Sequence, residues 1–249
     1  MLPAAHNFMM NLTILGTGTA TPSLRRASSS YLIQAARRNI LIDLGPSVVR
    51  RLLETGLTVN DIDLVVLTHF HPDHTADLVT FLFACNYGEP QRSKPLTILG
   101  GPGLERFVAR LARAWRWVMP TGYELTLKSM QAGAWEWEGL RIRTARMSHN
   151  RESIGVRIEE DRAVVFSGDT DYSANLIRLA RGVDLLVVEC SFPEQKVKGH
   201  LDLASLERIV ARAKPRQVLL SHLYPAWENF RGVLHTPLLL AEDGLEIEL

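Results

Sequence analysis

The 249-residue sequence has only two cysteines, no apolar run long enough to span a bilayer, and almost no excess of either charge. Each shortage excludes something. Cys85 and Cys190 sit inside apolar runs and are expected to be reduced core residues, which rules out a disulfide-stapled scaffold. With 28 Lys and Arg against 27 Asp and Glu, the net charge is +1, so no global basic field points to nucleic acid. A local basic groove remains open. Met1–Met10 lacks the basic stretch and following apolar stretch of a secretory signal, and the expected location is cytoplasmic. There is also no long linker or low-complexity segment, so residues 1–249 read as one domain, with Met1–Met10 (including His6) a flexible tail. What is left, 46% hydrophobic and 22% charged, is ordinary globular composition.

Against that background, the run Thr68-His69-Phe70-His71-Pro72-Asp73-His74 stands out, because it packs three imidazoles and a carboxylate into a single loop. Leu64–Leu67 before it is apolar and β-branched, so a buried strand should end at Thr68. Ala76–Cys85 after it reads as an apolar helix. In extended chain, residues two apart point the same way, so His69 and His71 can grip one metal ion. Asp73 and His74, at the start of the helix, point elsewhere, towards a second. Zinc, iron and manganese all accept imidazole with carboxylate. Scattered surface histidines are the plain alternative, and so dense a run argues against it.

Taken in order, the chain starts with a strand over Asn11–Leu15 and a loop, Gly16-Thr17-Gly18-Thr19-Ala20-Thr21-Pro22. This is no dinucleotide fingerprint, since Thr21 replaces the third small residue and no helix opens after Pro22. Ser30–Gln34 and Asn39–Ile42 form a hairpin around Ala35–Arg38. Asp43 then ends an apolar strand, either as a turn residue or as an acceptor that orients a metal-bound histidine. Pro46 suits the first turn of a helix over Ser47–Glu54. Lys94–Gly100 is a strand, and Leu104–Trp117 an amphipathic helix with Leu104, Phe107, Val108, Leu111 and Trp115 on its apolar stripe. Arg106, Arg110 and Arg113 form its solvated face. Trp115 and Trp117 could serve a homodimer interface or a lid, but core packing is the expected use. Strands follow at Glu124–Lys128, Ala134–Glu138, Leu140–Met147, Ser153–Glu159 and Ala163–Phe166. Helices over Tyr172–Ala180 and Asp202–Ala213 then alternate with strands at Asp184–Val188 and Gln217–Leu220. Pro237–Leu240 and Leu245–Leu249 read as a closing hairpin around Glu242-Asp243-Gly244. Two rounds of strands followed by helices suggest two similar halves.

Three later residues share a form. His149, Asp169 and His222 each follow the end of a strand, where a polar group would reach the same sheet edge as His69. Each alone reads as a turn residue. With the first cluster they make a set of five histidines and two aspartates.

On these residues the chain resembles the metallo-β-lactamase superfamily, and within it the ribonuclease Z-like branch. The resemblance runs from Leu12 to the C-terminus. It is carried by Leu15-Gly16-Thr17-Gly18 with Ser28-Ser29-Ser30, by Leu41-Ile42-Asp43-Leu44-Gly45, and by Thr68–His74. Phe166–Thr170, Gly182–Leu186 and the ending Ala241–Leu249 add to it. It implies an α/β fold, the αββα four-layer sandwich, with the site at an edge between two sheets. It implies one metal ion on His69, His71 and His149, another on Asp73, His74 and His222, and Asp169 bridging the two; zinc is the expected metal, with manganese as an alternative. Glu189 matches the glutamate of the branch's His-Glu-Ala-Thr element, although Val188, Cys190 and Ser191 depart from it. His200 matches the histidine of its Gly-His-Ser-Thr element, with Leu201 and Asp202 departing. A Glu–His pair holds one tautomer and raises the imidazole pKa. The alternative makes His200 a surface residue of a helix-entry loop, and His235 matches nothing.

One departure bears on substrate. The transfer-RNA processing members carry a Gly- and Lys-rich arm, and here Asp77–Met147 holds only helices, strands and turns. The expected activity is therefore a dinuclear phosphodiesterase acting on small or cyclic phosphodiesters or RNA ends, with no membrane partner. The catalytic residues would be Asp73, His200 and Glu189. Arg25, Arg26 and Ser28–Ser30 are candidate phosphate contacts. The first rival is an ester, thioester or lactone hydrolase on the same metals, which needs no Glu–His pair. The second is a non-catalytic metal- or nucleic-acid-binding scaffold, which would be expected to have lost ligands.

Overall fold

The computed structural model describes residues 9–249. Most of the expected tail, His6 included, lies outside the described residues. Met10, assigned to that tail, is instead 2% exposed and packs in the core between the sheets.

The first half contains β1 (Asn11–Gly16), β2 (Ser30–Ala35), β3 (Arg38–Ile42), α1 (Val48–Glu54) and β4 (Leu64–Leu67). It continues with α2 (Pro72–Thr75), α3 (Asp77–Tyr87), β5 (Leu96–Gly100), α4 (Leu104–Ala114) and β6 (Leu125–Ser129). The second half contains β7 (Gly133–Trp137), β8 (Leu140–Arg146), β9 (Ile154–Glu159), β10 (Ala163–Phe166) and α5 (Ala174–Leu179). Then come β11 (Leu185–Glu189), α6 (Leu203–Ala213), β12 (Gln217–Ser221), β13 (Leu238–Leu240) and β14 (Glu246–Glu248). The strands form two 7-stranded sheets, ordered β14-β1-β2-β3-β4-β5-β6 and β13-β12-β11-β10-β9-β8-β7. Each half opens with antiparallel strands and then runs parallel: β3 to β6 in one, β10 to β13 in the other.

Strand alternation builds the layers. In β3 and β4, Ile40, Ile42, Leu64 and Val66 face the other sheet, while Leu41, Val65 and Leu67 face α1, α3 and α4. In the second sheet Val164, Phe166, Leu185 and Val187 face inward, and Val165, Leu186 and Val188 pack on α5 and α6. The result is helix, sheet, sheet, helix, with every residue of β4, β10 and β11 buried. Strands buried on both faces read as unbroken apolar runs, which is how these were found. Burying each such side chain is worth about 1.5–3 kcal/mol.

Two expectations are corrected. The chain does not close in a hairpin: β13 pairs in parallel with β12, and β14 pairs antiparallel with β1 in the other sheet. The turn between them crosses from sheet to sheet. Asp243 anchors the crossing, accepting from Thr17 Oγ1 and the Ala27 N–H, both at 2.7 Å. Trp115 and Trp117, expected in the core, are 49% and 47% exposed. α4 stops at Ala114, and Trp115 leaves the helix with φ −132° and ψ 82°, so the helical phase that would have placed it on the stripe is lost. Arg106, Arg110 and Arg113 are exposed as expected, and Cys85 and Cys190 are buried free thiols. Among the described residues no helix is long and apolar enough to cross a membrane.

Candidate metal centre

The ends of β4, β8, β10 and β12 converge at one edge of the sandwich. The sheets are tied there by the Ile154 N–H donating to Thr68 O at 2.9 Å. After β4 the chain delivers His69. Pro72 opens α2 in the next turn, so His71 ends the extended stretch and Asp73 and His74 sit on the helix. Gly45 is required here: a Cβ on it would lie 1.9 Å from Asp73 O. After β10 the chain turns at Gly168 (φ 56°), against Thr68, and delivers Asp169. His222 after β12 has φ 55° and Asp43 after β3 has φ 59°, a left-handed backbone that non-glycine residues adopt at a cost of about 1–3 kcal/mol.

The expected residues come together. Single donor atoms of His69, His71, His149 and Asp169 lie within 4.8 Å of one another. So do those of Asp73, His74 and His222. Asp169 faces both groups: Oδ2 is 3.6 Å from His69 Nε2 and 3.9 Å from His149 Nε2, and Oδ1 is 3.4 Å from His74 Nε2 and 3.5 Å from His222 Nε2.

Each imidazole spends one nitrogen on an outer partner and turns the other inward. His69 Nδ1 is 3.2 Å from Thr68 Oγ1, and His149 Nδ1 is 3.0 Å from Gly199 O. His74 Nδ1 is 2.8 Å from Asp43 Oδ2, and His222 Nδ1 is 3.0 Å from Ser191 Oγ. The Asn150 amide touches His71 Nε2 at 2.9 Å, leaving His71 Nδ1 to face His149 Nε2 at 3.3 Å. Of the two readings open for Asp43, orientation is the one its contacts support. It also accepts from the Thr68 N–H at 2.7 Å and Thr68 Oγ1 at 2.8 Å.

Among the described residues, His69 Nε2, His74 Nε2 and Asp169 Oδ1 are buried without a hydrogen-bond partner. Leaving buried polar atoms unpaired costs about 1–3 kcal/mol each, so three of them aimed into one space fit a site built for a cation. The charges agree. Burial, then the neighbouring His74, holds the His69 imidazole well below its ordinary value, as a neutral ligand requires. Burial works against ionising Asp169, but His222, His74 and His69 override it and hold the carboxyl well below the usual range. Burial would also discharge His74, but Asp169 and Asp43 raise it well above the ordinary value. An imidazole so surrounded by carboxylates calls for positive charge at that position, which a bound cation would supply.

Beside this set, His200 Nδ1 is 3.1 Å from Glu189 Oε1 and 3.8 Å from Asp169 Oδ2. Burial lowers the His200 pKa, and the hydrogen bond and charge of Glu189 outweigh that and raise it. Glu189 also accepts from the Thr170 N–H at 2.7 Å and the Leu201 N–H at 3.2 Å. Sequence reasoning missed Ser191, whose Oγ donates to Glu189 Oε2 at 2.7 Å and meets both His200 and His222. It also missed Asn150. Alternation past the end of β11 gave a signal for Ser191, two residues beyond Glu189; Asn150 gave none. The candidate phosphate contacts Arg25 and Arg26 are instead paired with Glu228 at 3.0 and 3.4 Å. Ser29 Oγ and Ser30 Oγ donate to Gly18 O and Asp43 O, so they build the wall. His235 is exposed, away from this set.

The β-lactamase superfamily domain matches residues 38–223. A ribonuclease Z of Mycobacterium bovis is 32% identical, over 88% of this chain and 87% of the relative. Another from Mycobacterium marinum is 29% identical, over 97% and 96%. Among solved structures, the metallo-β-lactamase fold protein YhfI of Bacillus subtilis superposes with a TM-score of 0.81 at 24% identity, covering 96% and 99% of the two chains. The short form of human tRNase Z does so at 0.79 with 20% identity, covering 95% and 98%. Sequence and fold agree with the strand-end histidine cluster: the chain belongs to the metallo-β-lactamase superfamily and, within it, to the ribonuclease Z-like group.

Proposed function

We propose that this protein is a metal-dependent phosphodiesterase with a dinuclear centre, acting on small or cyclic phosphodiesters or RNA ends. His69, His71 and His149 would hold one divalent cation and Asp73, His74 and His222 the other, with Asp169 shared. Zinc is the expected metal, since neutral imidazoles with few carboxylates suit it. Bound there, the cations would polarise the phosphoryl group and make water nucleophilic at neutral pH.

The protein's own groups do the rest. Asp73 is turned to the same space as His222 Nε2, 3.5 Å away, and would orient the attacking water as well as ligate. With Nδ1 committed to Glu189, His200 keeps Nε2 to donate to the phosphoryl oxygen or the leaving group. Thr68, Asn150, Asp43, Gly199 and Ser191 lock the imidazoles, so little reorganisation is needed during reaction.

The observation that carries this reading is the Glu189–His200 pair next to Asp169. A carboxylic ester, thioester or lactone develops one oxyanion, which the metals would already face, so it gains less from a second, cationic donor. A phosphodiester, whose two non-bridging oxygens already share a negative charge and gain more in the transition state, gains more from one. The comparisons support the same class. Relatives are named ribonuclease Z, and a diphosphatase of the PhnP family superposes with a TM-score of 0.75 at 22% identity. The alignment to the Mycobacterium marinum ribonuclease Z runs over 271 positions, more than the 249 residues here, so that relative has insertions this chain lacks. The test is a turnover panel of bis(4-nitrophenyl) phosphate, cyclic nucleotides, a thioester and a lactone, each with zinc and with manganese. Hydrolysis led by the thioester or lactone would favour the rival.

A further inference from the structure

Among the described residues, clefts reach the candidate centre from the Asp73 side and from the His149 side, and their chemistry differs. One, of about 280 Å³, meets it at Asp73 and is walled by Thr19, Thr21, Ser23, Ser28, Pro46 and Pro72. Its one cation, Arg26, is spent: it donates to Thr17 Oγ1 at 2.7 Å and Ala241 O at 3.2 Å and pairs with Glu228. Hydroxyls, prolines and a carboxylate remain, a wall that suits neutral groups.

The other cleft, of about 370 Å³, meets the centre at His149 and includes Arg146, Ser148, Asp171, Ser173 and Lys198. Arg146 and Lys198 are exposed, and among the described residues neither side chain makes an ion pair or hydrogen bond. The acid in this wall is engaged by other groups. Asp171 already binds Lys196 Nζ at 2.6 Å and the N–H groups of Tyr172 at 2.6 Å and Gly199 at 3.3 Å. On the opposite side of the centre Arg25 and Arg26 are matched by Glu228; here two cations are left uncommitted beside a candidate ligand. Gly199, which closes this cleft, immediately precedes His200.

We propose that the cleft beside His149 is a subsite for a second phosphate of the substrate, gripped by Arg146 and Lys198 while the scissile diester sits at the centre. This rests on the phosphodiesterase reading and adds a substrate class: diesters that carry a further phosphate group, oriented with that group on the Arg146–Lys198 flank. Guanidinium and ammonium are the two side chains suited to phosphate oxygens, the first as a planar fork and the second as a point charge.

The experiment compares the dinucleotide TpT with pTpT and TpTp, using the metal-loaded protein, with bis(4-nitrophenyl) phosphate alongside. At least one phosphorylated dinucleotide should exceed TpT in kcat/KM by about tenfold or more, mainly through KM, the size of one charge-assisted contact. In the double variant Arg146→Gln/Lys198→Gln that ratio should fall to near one. Added salt should shrink the ratio in the parent protein as well, since both cations are exposed. Equal kcat/KM for all three dinucleotides in the parent, or a ratio that survives in the double variant, would overturn the subsite. If bis(4-nitrophenyl) phosphate and all dinucleotides go uncleaved, the phosphodiesterase reading itself fails and the subsite with it.

Discussion

Glu189 Oε1 lies 3.1 Å from His200 Nδ1, and the two residues come from the end of β11 and from the loop before α6. The pairing raises the His200 pKa and leaves its second nitrogen for a substrate. His200→Ala should lower turnover of an alkyl phosphodiester by about a hundredfold or more, the usual size for a positioned acid. The loss should be smaller for 4-nitrophenyl leaving groups, which need less protonation. Glu189→Gln should act in the same direction. Metal content by elemental analysis should stay at the parent level in His200→Ala; normal turnover in that variant would make His200 a loop residue and strengthen the ester-hydrolase alternative.

Asp169 turns one oxygen towards each imidazole group, which makes it the proposed shared ligand. Asp169→Ala should therefore disturb both proposed metal positions, whereas Asp43→Asn reaches His74 directly and His69 only through Thr68. Asp43→Asn should weaken metal affinity by about 10–100-fold, the range for a group that orients a ligand. Metal titration followed by elemental analysis distinguishes them. Loss of a single equivalent in Asp169→Ala, with the other bound as tightly as in the parent, would contradict the shared carboxylate.

Much of the candidate centre was legible because it is local. The cluster from His69 to His74 lies in one loop, and the strand ends before His149, Asp169 and His222 follow from apolar runs. The supporting contacts were not legible. Asn150 reaches His71 across 79 residues and Ser191 reaches His222 across 31, and only folding brings them together. Arg26 was misread for the same reason, since its partner Glu228 is 202 residues away. The closing hairpin failed because a short turn can join two strands of one sheet or cross between sheets, and local sequence does not separate those. The tryptophans failed because the helical stripe was extended past the residue where the helix stops.

The loop that carries His200 is anchored by the N-cap of α6, where the Asp202 side chain accepts from the Ser205 N–H at 3.0 Å. Burial alone would raise the Asp202 carboxyl, but the bonds from Ser205 lower it below the ordinary 3.8. A carboxyl whose folded-state value is depressed adds stability that is complete above the unfolded value and is lost as pH falls through the folded one. Asp202→Ala should cost about 1 kcal/mol at neutral pH, the typical size of a lost cap. Denaturant melts of parent and variant should converge as the pH drops below 3.8. A gap that persists at low pH would mean the residue acts through packing.

Structured RNA should be a poor substrate. Affinity for nucleic acid is set largely by phosphate contacts, and the stretch from β5 to β8 is taken up by packed elements and short turns. Precursor transfer RNA at physiological salt should be cleaved slowly and without position preference, while bis(4-nitrophenyl) phosphate is turned over. Rapid, position-specific cleavage would reverse the assignment of substrate size.

If metals held by this cluster drive phosphodiester hydrolysis, the rate with bis(4-nitrophenyl) phosphate must follow metal as it is added back to chelator-treated protein, with bound metal per chain measured at each point. Turnover should be negligible without metal and should reach its full value only as the second equivalent binds. Full turnover by the metal-free protein, or none with both equivalents bound, would contradict this dependence on metal.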